Sequence, residues 1–216
     1  MSYKVEVLKA IKSCLKSYGF KYKEGYFENT SNPRVTINLL FSMENHFKSH
    51  YFYVGMGALI IIPQLNEMLY ELTESMVDLQ GKTGPICLRT FNSEYGTEEI
   101  HSEFYGAKDM EENIRNFNTE ITDKIMPAIQ VYQTMNDVIS ALVSDNQKEQ
   151  LSIWAFYYIP IAYYLKGEYA KALQYIDEYI IRQKELNNMR PNKEYICQIK
   201  IFEIYRKNLI RWIDSK

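Results

Sequence analysis

The chain has 216 residues, enough for one large domain or two small ones, and a chain of this size buries roughly 70–75 % of its unfolded surface without needing a staple. Apolar residues at 46 % and charged residues at 24 % exclude an intrinsically disordered chain, and 9 Gly with 6 Pro exclude a collagen-like or low-complexity one. The net charge of −2 leaves no general excess of positive charge for a polyanion, and three scattered cysteines without a CxxC (Cys14, Cys87, Cys197) argue against a disulfide scaffold or a structural zinc and fit a reducing cytoplasm.

A helix comes first. Val7, Leu8, Ile11, Cys14, Leu15 and Tyr18 form one apolar stripe at helical spacing, with Lys9, Lys12 and Lys16 opposite. Gly19 is the expected stop at C′, with Phe20 as its hydrophobic contact. Strands follow. Tyr22–Glu28 is short, aromatic and interrupted by Gly25, and residues 29–33 (NTSNP) read as a turn. Val35, Ile37, Leu39, Phe41 and Met43 alternate with period two. After a polar loop, Phe52, Val54, Met56 and Ala58 line one face of the next strand, and Tyr51, Tyr53, Gly55 and Gly57 the other. Together these predict an antiparallel meander.

Pro63 suits N1 of a short helix carrying Leu65, Met68, Leu69 and Leu72. Ile86–Phe91 reads as a further strand, and Asn92–Ala107 has room for one more. From Lys108 onward the period is helical. Asp109 with Glu112 resembles a capping box, and Ile114, Phe117, Ile121, Ile125 and Ile129 keep helical spacing until Pro127 should end or kink the helix near Met126. Thr134 is placed to cap a helix bearing Val138, Ile139 and Leu142. Asp145 is placed to cap another that runs to Leu165, bent at Pro160 and broken at Gly167. Tyr169–Lys184 and Asn192–Asp214 are two more amphipathic helices. The expected class is α+β: an N-terminal helix, an antiparallel meander packed against helices, and an all-α C-terminal extension. The soft boundary lies near residue 133, dividing the chain into 1–133 and 134–216.

Lys4, Glu6, Lys9 and Lys12 interrupt any apolar signal core. The uncharged runs Tyr51–Pro63 and Leu151–Leu165 fall short of the roughly 20 residues a membrane helix needs. The expectation is a cytoplasmic protein without a membrane partner.

Leading helix, Gly19-Phe20-Lys21-Tyr22, Val35-Thr36-Ile37-Asn38-Leu39-Leu40-Phe41, Tyr51-Phe52-Tyr53-Val54-Gly55-Met56-Gly57, Ile86-Cys87-Leu88-Arg89 and a long helix entering Ile125-Met126-Pro127 occur in that order. In this order residues 3–133 resemble the uncharacterised bacterial family called domain of unknown function 4304. The resemblance implies an order of elements and no activity, so no catalytic set is carried over with it. In the C-terminal part, Ala162, Gly167, Tyr169 and Ala172 are similar to the core of a tetratricopeptide hairpin, whereas Pro160 and Tyr179 depart from that pattern and no second copy follows. An ordinary helical hairpin with a close crossing accounts for them.

Chemistry-bearing residues are few. His46 and His50 flank a polar loop, where a solvated pair outweighs a metal site. Glu99, His101 and Glu103 alternate on one strand face and could serve a cation or a base with its orienting group; charges that protect a sheet edge explain them as well. Neither a nucleophile elbow nor a phosphate-binding glycine loop is present. Six N-terminal lysines (Lys4, Lys9, Lys12, Lys16, Lys21, Lys23) against Glu6 make the best nucleic-acid candidate, and a solvated helix face explains them better. From Glu94 to Asp123 the chain is strongly acidic; helix-dipole pairing accounts for Asp109, Glu111 and Glu112 but not for Glu94, Glu98, Glu99 and Glu103. The run from Trp154 to Tyr164 is apolar all round, which places it centrally in the fold or under a partner, with Trp154, Tyr157 and Tyr158 as the binding candidates.

The expectation is a non-catalytic protein-interaction role, in its concrete form an immunity-type protein that binds and blocks a partner, for which the acidic segment favours a basic one. The alternative is a small-molecule- or metal-binding enzyme, hydrolase-like, whose site lies between the sheet and the long helix and uses Arg89, Glu99, His101 and Glu103. No cofactor or resident metal is implied, nucleic acid is disfavoured, and a homo-oligomer is compatible with the composition.

Overall fold

A computed structural model describes residues 3–23, 25–45, 52–77, 84–88, 100–104, 110–144 and 154–216, with backbone alone for residues 3, 4, 41–45, 52–55, 87, 88 and 100–104. Helix α1 (Tyr3–Ser17) buries Val7, Ile11 and Leu15 on its apolar stripe. It ends in the expected left-handed stop. Gly19 takes φ +83°, its N–H donates to Lys16 O at 3.0 Å, and Phe20 N–H reaches back to Leu15 O at 3.1 Å while Phe20 itself is buried.

The sheet is antiparallel throughout. β1 (Lys21–Lys23), β2 (Tyr26–Asn32), β3 (Val35–Asn45) and β4 (Phe52–Ile61) form a meander. β5 (Ile86–Leu88) and β6 (Ile100–Phe104) lie end to end on the outer edge of β4, with Leu88 opposite Ala58 and Ile100 opposite Met56. The further strand for which Asn92–Ala107 has room is β6. Val35, Ile37 and Leu39 of β3 share the main core with Met56, Ala58 and Ile60 of β4, as the period-two pattern requires. Leu59 and Ile61 form a small separate cluster on the opposite face.

One strand reading changes. Tyr22–Glu28 is a hairpin rather than a single interrupted strand, because Gly25 at φ +86° supplies the left-handed turn residue. β2 then continues to Asn32, through residues read as a turn. There the Asn29 side-chain oxygen accepts from Ser31 N–H at 2.9 Å and the Asn32 oxygen from Arg34 N–H at 3.0 Å, and the ladder shifts register between them.

α2 (Pro63–Leu72) starts with proline in its first turn and buries Leu65, Leu69 and Leu72. α3 (Met110–Glu120), a π-helical turn (Ile121–Ile125) and α4 (Met126–Gln130) form one continuous run. Of the two outcomes expected at Pro127, an end or a kink near Met126, the helix does not end there; its α-helical pattern is interrupted by the π turn. Met126 N–H donates to Ile121 O, five residues back, and the wider turn makes room for a proline ring that would crowd a carbonyl in an α-helix. Asp109 and Asp145, expected as caps, lie outside the described residues.

α5 (Met135–Val143) has a full capping box. The Thr134 hydroxyl accepts from Asp137 N–H at 3.2 Å, and the Asp137 carboxylate accepts from Thr134 N–H at 2.8 Å. α6 (Ala155–Leu165), α7 (Tyr169–Met189) and α8 (Lys193–Asp214) follow. α6 closes on Gly167 at φ +75°, with Glu168 N–H bonded to Tyr163 O at 2.9 Å and Gly167 N–H to Tyr164 O at 3.0 Å. Asn192 caps α8 by accepting from Glu194 N–H at 2.9 Å.

The architecture is α+β, with strands before residue 105 and helices after it. The two parts share one continuous core that runs from Val7 through Leu39, Phe117 and Tyr158 to Leu209. Polar ties cross the same interface: Tyr158 donates to Asn66 Oδ1 at 2.7 Å, and Asn208 Nδ2 to Leu72 O at 3.1 Å.

Candidate functional site

The acidic candidates divide. Glu98 and Glu99 lie outside the described residues, as do His46, His50 and Arg89. His101 and Glu103 are two residues apart in β6, paired with Gly55 and Tyr53 of β4. The strand starts at Ile100, so a three-residue alternation that includes Glu99 extends past its described end. Among the described residues no group of three or more His, Cys, Asp or Glu is placed to hold a metal ion.

The aromatic candidates come together in α6. This helix packs against α2, α5 and α7, and Tyr157 also stacks on Phe202 of α8 with ring centroids 5.4 Å apart. Neighbours on every side explain a helix that is apolar all round. Tyr157 and Tyr158 are buried, and their hydroxyls are engaged: Tyr157 donates to Gln198 Oε1 at 2.8 Å and Tyr158 to Asn66. Neither presents a side chain to a partner. Trp154 is half-buried and stacks on Tyr157 at 6.2 Å. Rings continue outward from there, with Phe202 against Tyr179 at 4.1 Å and Tyr179 against Phe156 at 5.1 Å.

Tyr205 of α8 bonds α6 beside its internal proline. Pro160 has no N–H for the helical ladder. In the turn that leads into it, the Tyr205 hydroxyl donates to Tyr157 O at 3.0 Å. Burial drives the Tyr205 phenol well above its ordinary proton affinity, and burial likewise raises Tyr157 and Tyr179. These hydroxyls are neutral hydrogen-bonding groups at physiological pH. Cys14 is half-buried, and burial raises its thiol too, which keeps it from the thiolate form. The N-terminal lysines are partly committed within the protein: Lys12 lies 3.7 Å over the Tyr22 ring, and Lys23 pairs with Glu28.

The α7–α8 hairpin offers a different surface. Arg206 grips Asp177 through two hydrogen bonds, at 2.6 and 3.1 Å, and Lys184 pairs with Glu203 at 3.2 Å, both across the seam between the antiparallel helices. Ile196, Lys200, Glu203 and Lys207 fall on one stripe of α8, and Ile181 and Lys184 on one side of α7. The Lys184–Glu203 pair joins these stripes into a single outer face. On it Ile181 is 56 % exposed and Ile196 57 %. Neither was singled out by sequence: of the adjacent pair Ile180 and Ile181, Ile180 is buried and Ile181, about 100° further round the helix, is exposed, and composition alone does not distinguish them.

Comparison with known proteins returned no match among protein-family models, curated proteins or solved structures.

Proposed function

We propose that this protein is a non-catalytic binding protein of the immunity type, which docks a partner protein on the outer face of the α7–α8 hairpin. The observation that carries the reading is the pair of exposed β-branched residues, Ile181 and Ile196, on the outer face of two long packed helices that two ion pairs bridge. Isoleucine is not favoured at a solvated helix position, either for its helix propensity or for its solvation. A face on packed helices also loses little backbone freedom on docking. The exposed Lys184, Lys200, Glu203 and Lys207 on the same face add charged contacts between and beside the two isoleucines. The acid-rich stretch from Glu94 to Asp123 favours a basic partner through faster encounter. The resemblance of residues 3–133 to domain of unknown function 4304 fits this reading and adds no activity to it.

Capture from the native lysate with tagged wild type and with the double variant Ile181→Asp, Ile196→Asp tests the proposal. The expected result is one near-stoichiometric protein retained by wild type and lost by the variant. Both substitutions are on the surface, so the variant should keep its stability to within about 0.5 kcal/mol. Equal retention by both proteins would remove this face from the interaction.

A further inference from the structure

At the end of the helical array, α6 and α7 place two tyrosines against a positive charge, with a tryptophan of α8 packed against one of them. Tyr164 of α6 is 7 % exposed. Its ring lies 5.6 Å from that of Tyr169, the first residue of α7, and 5.8 Å from that of Trp212 near the end of α8. The Lys216 ammonium sits 4.3 Å from the Tyr164 ring centroid. Tyr169 is used differently. The ammonium is 5.4 Å from its ring centroid but 3.3 Å from its oxygen, so Tyr169 offers a hydroxyl acceptor rather than a ring face. The groups that raise the proton affinity of Lys216 are Tyr169 first and then Tyr164, with no carboxylate among them.

We propose that Tyr164 and Tyr169, with Trp212 packed against the Tyr164 ring, form a binding site for a primary alkylammonium group, held in this structure by the chain's own Lys216. The chemistry sets the class of ligand. The face of Tyr164 attracts any cation, whereas the Tyr169 oxygen needs an N–H donor, which a quaternary ammonium lacks. A free alkylamine and the side chain of a lysine in another protein share this group. Lys216 competes with either as a tethered ligand, and its removal opens the site. The site is separate from the Ile181–Ile196 face and does not depend on the proposed function.

The test uses the full chain with Lys216→Ala and follows the Trp212 indole resonance by NMR, with the Trp154 indole as an internal control. n-Butylammonium chloride and N-acetyl-lysine amide are the two probes, and tetramethylammonium chloride is the comparison cation. The variant should show a saturable Trp212 shift with butylammonium, at an apparent Kd about threefold or more below that of wild type. A matching response to N-acetyl-lysine amide would identify a lysine side chain as an acceptable source; a response to butylammonium alone would restrict the site to free amines. Butylammonium should bind about two- to fivefold better than tetramethylammonium, and Tyr169→Phe, which keeps the ring and so preserves the fold, should erase that preference. No saturable Trp212 shift in Lys216→Ala, or the same shift in wild type, would overturn the proposal. So would a preference that survives Tyr169→Phe.

Discussion

Tyr205 ties α8 to α6 beside the internal proline. Its hydroxyl is fully enclosed and donates to Tyr157 O. Tyr205→Phe keeps the ring packing and removes only this bridge, so unfolding in urea at pH 8 should show a loss of about 1–2 kcal/mol. The same residue sets a pH dependence. Its phenol titrates well above the ordinary value of 10.0 when folded and near that value when unfolded. Both states are protonated at neutral pH, so stability is flat there. Above about pH 10 the unfolded state loses its proton first, and stability falls as pH rises. Tyr205→Phe should make that alkaline fall shallower; an unchanged slope would place the sensitivity on the other buried tyrosines. Sequence gave access to part of this. The period that put Tyr157 and Tyr158 in an all-apolar helix was readable, but the partner of the Tyr157 carbonyl lies 48 residues away and leaves no local sign.

At the scale of elements, the readable features were those with a local cause. Gly19 with Phe20, Pro63, the Thr134–Asp137 box and Asn192 each act within a few residues, and each ends or starts a helix where its chemistry demands. The π turn was not readable, because spacing alone cannot say whether a helix stops at Pro127 or widens to pass it. Two glycines separate backbone freedom from close approach. At Gly167 an added Cβ meets nothing within 4 Å, so Gly167→Ala carries only the left-handed strain, about 1–2 kcal/mol. At Gly84 the same Cβ would run into the Ile60 carbonyl and sit 3.1 Å from Ile61 Cγ1, so β4 itself must move. Gly84→Ala should therefore cost more than Gly167→Ala, about 3 kcal/mol or above. Urea midpoints of the two variants check this, and the reverse order would contradict the close packing of Gly84 on β4.

At the scale of the molecule, the sheet and the helical array share one core, and Asn208 and Tyr158 tie α8 and α6 to α2 by side-chain hydrogen bonds. The α+β class and the order of elements were legible because the hydrophobic period switches from two to about 3.6 along the chain. The binding surface was not. Sequence marks large aromatics as candidates, yet Tyr157 and Tyr158 went into the core, and the exposure of Ile181 and Ile196 depends on which face of α7 and α8 packs inward. No helix among the described residues is long and apolar enough to cross a membrane. The most direct test of the binding role is amide hydrogen exchange of the protein alone and in the captured complex. Residues 178–207 should gain protection on partner binding, strongest around Ile181 and Ile196. Protection confined to other parts of the chain, with exchange across the α7–α8 hairpin unchanged, would contradict the account.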